Sequence, residues 1–328
     1  MKTVRALGAL ACGILVLWTS AGYGAPAHEK YPARPIRILI PFPAGGAADT
    51  VGRSLGELLS AQMGQPVVVD NRPGAAGRVA TEMLTRAEPD GHTLLVGTPG
   101  AITVYPSLYR KLPYKVERDL LPITFVGEAI NVMVVNPATG VKTVKEFIDR
   151  AKARPGVVRF GSSGTGQTDH LAGELFQRLT GVRLTHVPYK GGGPALIDLL
   201  SGDLQVMFPT SVVAIPHIRA GRLRALGVAT PERKALFPDL PAVGETVAGF
   251  GFTNWDAIFA PAKTPAPIAD RLFVEITKAL QNTQLRKRWE ALGVLPEASA
   301  SRAAFAKFIR EDTARWAKIV KEAGIHLD

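Results

Sequence analysis

Cysteine is almost missing from this chain. Its single copy, Cys12, lies in an apolar run near the start. A leader that removes this run leaves no thiol, which excludes disulfides, thiol catalysis and cysteine-based metal sites. Metal-ligand spacing is also lacking: the six histidines, at 28, 92, 170, 186, 217 and 326, form no ligand pattern. No metal and no cofactor is expected. There is no phosphate-cradling Gly-x-x-x-x-Gly-Lys-Ser/Thr run. There is no tract of Lys and Arg interleaved with aromatics, so no nucleic-acid partner is expected. No apolar run after the first is long enough to span a bilayer.

What the chain does have begins with that first run. Lys2 and Arg5 precede apolar Ala6–Trp18, and small, turn-prone Thr19–Ala25 follows. This is the layout of a secretory signal peptide over residues 1–24, cleaved between 24 and 27. Cys12 sits inside the apolar stretch rather than at its end, which argues against a lipid anchor. The mature protein is therefore expected in the periplasm. The formal net charge is +11, and loss of Lys2 and Arg5 leaves +9. The basic residues are dispersed, a distribution that fits the attraction of small anions. The densest run, Arg286-Lys287-Arg288, reads as a solvated helix face.

One unit recurs: an apolar strand-like run, a glycine-rich elbow, then an amphipathic helix. It appears as Ile36–Pro41, Phe42-Pro43-Ala44-Gly45-Gly46-Ala47-Ala48-Asp49 and a helix to Met63. It returns as Val157–Phe160, Gly161-Ser162-Ser163-Gly164-Thr165-Gly166-Gln167-Thr168 and a helix through Leu171, Leu175 and Leu179. Weaker copies end at Pro73–Gly77 and at Tyr189-Lys190-Gly191-Gly192-Gly193. A helix start leaves backbone N–H groups unpaired, and its dipole favours negative charge. Glycine lets those groups approach a ligand.

Strands and helices alternate from Tyr31 to about Gly127 and again from Thr143 to Thr230, followed by helical Ile268–Leu292 and Arg302–Ala323. Alternation predicts parallel sheets covered by helices, an α/β fold. Phe125–Asn136 and Phe252–Pro261 are extended apolar runs where the pattern changes. They read equally as crossovers between two domains or as further core strands.

Several chemistries can be weighed. The first elbow lacks the third glycine of a dinucleotide fingerprint. Ser162, Ser163 and His170 are close in sequence, but Gly161-Ser162-Ser163-Gly164-Thr165 is not a nucleophile elbow, because Thr165 replaces its last glycine. The hydroxyls read better as caps and ligand donors. His170 either lines the cleft or packs in the core. Asp169 and Glu174 read as surface acids. Asp49 either supports the first helix, paired with Arg53, or meets the ligand. Lys190 is a loop lysine or faces an anion. Asp256 binds a donor group on a solute, pairs with a nearby cation, or faces outward.

The order and spacing of several segments resemble one family. They are Pro41-Phe42-Pro43-Ala44-Gly45-Gly46 with Asp49 and Arg53; Asp70-Asn71-Arg72-Pro73-Gly74-Ala75-Ala76-Gly77; Pro89-Asp90-Gly91-His92-Thr93-Leu94-Leu95; Leu112-Pro113-Tyr114; and His186-Val187-Pro188-Tyr189-Lys190-Gly191. Together they resemble the solute receptors of tripartite tricarboxylate transporters, the TctC-like or Bug family. The resemblance implies a periplasmic-binding-protein-like type II fold: two α/β domains joined by two crossover segments, with the ligand cleft between them. The implied domains are residues 28–128 with 254–328, and residues 129–253. It implies ligand contacts from Phe42–Asp49, from Ser162–His170 and from Tyr189–Gly191.

The resulting candidate binding residues are Phe42, Ala44, Gly45, Gly46, Asp49, Ser162, Ser163, Gly164, Thr165, Gly166, Gln167, His170, Tyr189, Lys190, Gly191 and Asp256. Gln167, Asp256 and Arg78-Val79-Ala80 depart from the usual pattern. The implied activity is non-catalytic capture of a small carboxylated solute by a monomer, for delivery to the membrane subunits of a tripartite transporter. A ligand sensor serving a signalling partner and a periplasmic hydrolase are the alternatives.

Overall fold

The structure, a computed structural model, describes residues 31–252 and 254–323. The expected signal peptide, Cys12 and Thr253 lie outside them. Among the described residues, eleven strands form two sheets. They are β1 (Ile36–Ile40), β2 (Val67–Asn71), β3 (Thr93–Gly97), β4 (Leu120–Ala129), β5 (Val132–Val135), β6 (Arg159–Ser162), β7 (Thr185–Pro188), β8 (Val206–Met207), β9 (Arg224–Val228), β10 (Asn254–Pro261) and β11 (Val294–Pro296). The first sheet runs β11-β4-β10-β3-β1-β2 and the second β7-β6-β8-β5-β9. β1 pairs in parallel with β2 and β3, and β6 with β7 and β8, as the alternating pattern requires.

The two extended runs leave one sheet for the other. β4 ends at Ala129 in the first sheet, and β5 starts at Val132 in the second. Ile130 and Asn131 make the passage, and Asn131 is pinned on the second side by Ala229 N–H donating to its carbonyl. On the return, Phe252 N–H donates to Ala229 O, and β10 begins at Asn254 between β3 and β4. Both runs are thus strands and crossovers at once, which is why their apolar composition could not separate the two readings.

The longer helices are α1 (Ala47–Met63), α2 (Arg78–Thr85), α3 (Val144–Ala153), α4 (Thr168–Thr180), α5 (Gly192–Ser201), α6 (Ser211–Arg219), α7 (Ala266–Leu280), α8 (Thr283–Glu290) and α9 (Arg302–Ala323). The helical stretch expected over Ile268–Leu292 is interrupted. Asn282 Oδ1 accepts the N–H groups of Gln284 and Leu285 and so starts a new helix.

Helix α9 fixes which way β10 faces. Its buried stripe of Phe305, Ile309, Asp312, Trp316 and Val320 packs inward. Asp312 accepts from the Thr103 hydroxyl at 2.7 Å, from Trp255 Nε1–H at 3.1 Å and from Arg315 at 2.6 Å. Trp255 therefore faces the helix, and alternation along the strand turns its neighbour Asp256 to the opposite face. Replacing Asp312 by Ala leaves the Trp255 indole N–H unpaired inside the core, while the Thr103 hydroxyl keeps Pro99 O as an acceptor at 3.2 Å. The expected loss is about 1–3 kcal/mol for the one orphaned group. Urea unfolding of Asp312→Ala measures it, and a loss below 1 kcal/mol would contradict this account of β10.

Candidate functional site

The two glycine elbows adopt the same conformation. Gly45 has φ +83° and Gly166 φ +82°, the left-handed region that glycine enters without strain. The following residue caps the helix in an extended conformation: Gly46 at φ −79°, ψ 175°, and Gln167 at φ −75°, ψ 162°. Three residues later a side chain reaches back to the elbow. Asp49 Oδ2 accepts Gly45 N–H at 2.9 Å, and His170 Nδ1 accepts Gly166 N–H at 3.1 Å. Each bond satisfies an elbow donor without using the N–H groups of the first two helical residues; in α4 the third, His170 N–H, is taken by Asp169.

Asp49 is fully engaged in this task. Asn71 Nδ2 donates to its Oδ1 at 2.9 Å, and Arg53 Nε donates to its Oδ2 at 3.0 Å. Burial pushes its carboxyl up, but the bonds from Arg53, Gly45 and Asn71 outweigh that and hold it below the ordinary aspartate value. Of its two expected roles, the structure gives it support of the elbow. His170 is the packed histidine. Burial, with His186 beside it, pushes its pKa down to about 3, and burial pushes His186 down to about 4. Their rings lie 4.1 Å apart, and Phe160 stacks on His186 at 4.7 Å.

Asp169 corrects its reading as a surface acid. It is buried and accepts Ser163 N–H at 2.6 Å, the Ser163 hydroxyl at 2.9 Å and His170 N–H at 2.9 Å. Burial outweighs these donors and raises its pKa to about 6. Ser162 Oγ bonds His186 Nε2 at 2.6 Å. This serine is fully buried, so the Ser–His contact presents no nucleophile to a substrate.

A small cavity of about 60 Å³ lies where the elbows meet. Phe42, Gly46, Ser163, Gln167 and Asp256 of the candidate set line it. A neighbouring cavity of about 240 Å³ is lined by Phe42, Ser163, Gly164, Thr165, Tyr189 and Lys190. Ala44, Gly45, Asp49, Ser162, Gly166, His170 and Gly191 line neither, and they shape the loops behind them. Gln167 also spans the cleft: its amide donates to Ala76 O at 2.6 Å and to the Tyr105 hydroxyl at 2.9 Å. Thr98, Asn131, Thr210 and Gly192 also line the small cavity and were not among the candidates. Asn131 is the one polar residue between Ala129 and Val135, and Thr98 follows the carboxyl end of a parallel strand. Those were the available signals.

Asp256 is the exception among the buried aspartates. Asp49, Asp169 and Asp312 are held by donors, whereas the Asp256 carboxyl, 2% exposed, has no hydrogen-bond partner among the described residues. Burial pushes its pKa up to about 7. No Lys or Arg lines its cavity, and Asp169 is the other acid there.

Two sheets joined by two crossovers, with helix starts converging between them, define the periplasmic-binding-protein class. The comparisons name the family. A model of the tripartite tricarboxylate transporter family receptor matches residues 51–325. The chain belongs to that family of solute-binding receptors. It is 38% identical to Protein BugT of Bordetella pertussis over the whole of both chains. Among solved structures it resembles the R. palustris protein Rpa4515 with adipate at TM-score 0.87 and 32% identity, covering 90% of this chain and 99% of that one. It also resembles MatC from Rhodopseudomonas palustris with bound malate at TM-score 0.83 and 31% identity, covering 88% and 100%. No helix among the described residues is long and apolar enough to cross a membrane.

The isolated Asp256 has a measurable consequence. The folded protein keeps its proton up to about pH 7, whereas an ordinary aspartate releases it near 3.8. Well below pH 3.8 both folded and unfolded chains hold the proton, and the pH-dependent cost vanishes. As pH rises to 7 and above, folding must ionise or keep protonated a buried acid, with a ceiling of about 4 kcal/mol. Asp256→Asn should therefore raise the melting temperature of the ligand-free protein more at pH 8 than at about pH 3. A difference that does not vary with pH would show that Asp256 is solvated or paired.

Proposed function

We propose that this protein is a non-catalytic receptor that captures a small carboxylate-containing solute in the cleft between two α/β domains. The domains comprise residues 28–128 with 254–328, and residues 129–253. The reading places the mature protein in the periplasm as a monomer that hands its solute to the membrane subunits of a tripartite transporter. The known relatives support it: one was solved with adipate and another with malate, and BugD, 31% identical, is described as a periplasmic binding protein.

The observation that carries the proposal is the pair of matched elbows. Residues at or just inside the starts of α1, α4, α5 and α6 all line the small cavity: Gly46, Ala47 and Ala48; Gln167 and Thr168; Gly192; Thr210 and Val213. The starts of α1, α4 and α5 offer unpaired N–H groups and the positive end of a dipole, each worth up to about 2 kcal/mol to an anion in a partly buried site, whereas at α6 Ser211 N–H already donates to Ile130 O. Binding near 1 μM needs about −8 kcal/mol. Burial of the solute's carbon skeleton against Phe42, Pro209 and Val213 supplies the remainder. Calorimetry against aliphatic carboxylates and neutral sugars tests the reading. Binding of sugars without binding of any carboxylate would overturn it.

Backbone recognition also separates two substitutions. A Cβ on Gly46 would meet only Pro43 O, at an ordinary 3.5 Å, and its φ is negative, so Gly46→Val should fold. Its side chain would enter the cavity and should weaken carboxylate binding more than about tenfold, or about 1.4 kcal/mol. Lys190 is exposed beside the second cavity. Lys190→Ala should cost at most about 1 kcal/mol, as for exposed charges generally. The reverse ranking in calorimetry would assign recognition to the lysine.

A further inference from the structure

Three buried polar atoms in the small cavity lack hydrogen-bond partners: Thr98 Oγ1, Asn131 Oδ1 and Asp256 Oδ2. Their residues are 6%, 4% and 2% exposed. Buried polar atoms in folded proteins nearly always find partners, so three orphans around one cavity point to a group that is brought in. The backbone brings two of them together. Gly97 of β3 pairs with Ala257 of β10, and Thr98 and Asp256 are the next residues along the two antiparallel strands. Asn131 reaches the same cavity from the crossover.

The chemistry of the three atoms is one-sided. Asn131 Nδ2 donates to Phe208 O at 2.5 Å, which commits the amide nitrogen and presents the oxygen as an acceptor. Ionised Asp256 only accepts, and the Thr98 hydroxyl can accept. We infer that these three residues form a subsite for a primary ammonium group, so that the captured solute is an amino-substituted carboxylate. An ammonium carries three N–H donors and a positive charge. Its donors match the three acceptors, and its charge offsets a carboxylate that no Lys or Arg in the cavity balances. A hydroxyl would satisfy one acceptor only. A second carboxylate could take a proton-mediated bond from neutral Asp256, but its oxygens would then face the Asn131 oxygen. The helix starts remain for the solute's own carboxylate, so the inference rests on the receptor reading above.

The test is calorimetry on the mature protein, freed of retained solute, with three kinds of probe. The first are amino-carboxylates such as glutamate and 4-aminobutyrate. The second are their unsubstituted partners, glutarate and butyrate. The third is butylamine, an amine without a carboxylate. At least one amino-carboxylate should bind more than about tenfold tighter than its partner. Asp256→Asn and the isosteric Thr98→Val should each bring the ratio of the two affinities toward one. Unsubstituted carboxylates that bind as tightly as their amino forms would overturn the ammonium subsite and leave the carboxylate receptor standing. Binding of butylamine with no carboxylate binding would keep the subsite and overturn the receptor reading. A panel in which nothing binds would count against both.

Discussion

A helix start that keeps its N–H groups free for a ligand must be held in shape by something other than those groups. Every other feature of the cleft depends on this constraint. Here the problem is met twice in the same way. A left-handed glycine turns the chain, the next residue is extended, and a side chain on the first helical turn bonds back to the glycine N–H. Asp49 performs this task as an ion, neutralised by Arg53. His170 performs it as a neutral imidazole, which burial and His186 keep unprotonated. Both solutions leave the elbow without excess positive side-chain charge, so the attraction for an anion comes from backbone dipoles.

The sheets determine where these elbows point. β1 and β6 each lie between parallel neighbours, and their carboxyl ends feed the two elbows. The crossovers between the sheets then carry Asn131 and Asp256 to the same place. Asp256 faces the cavity because Trp255 is held on the other side by Asp312 of α9. A buried acid without a cation is costly. Its position is sustained by packing on the far face of the strand, and its cost is relieved when a donor arrives.

Much of this was legible in the sequence because it rests on local patterns. Helix α3, Val144–Ala153, follows from local rules: Thr143 caps it and its apolar spacing is regular. The glycine elbows were visible as composition, and the order of motifs pointed to the family. The misses share a cause: they depend on contacts between distant segments. Asp169 looked like a surface acid because nothing local shows that Ser163 folds back onto it. The bond from Gln167 to Ala76, 91 residues away, has no local signature. Neither does the meeting of Thr98 with Asn131 and Asp256.

The division of labour within the cleft also bears on release. A buried Lys or Arg facing the solute would strengthen binding, but it would be left without its partner whenever the cleft emptied. Helix starts avoid much of that cost, because water can solvate free N–H groups in an open cleft. Gln167 adds a second economy. Its amide bonds Ala76 and Tyr105 directly across the interface, so part of the closing energy does not pass through the solute at all. Asp256 works in the opposite sense. It makes the empty closed state costly and so withholds closure from a solute that cannot satisfy it. On the proposed reading, affinity from backbone groups and selectivity from one unpaired acid are therefore separable: the first sits at helix starts and the second on a strand of the same cavity.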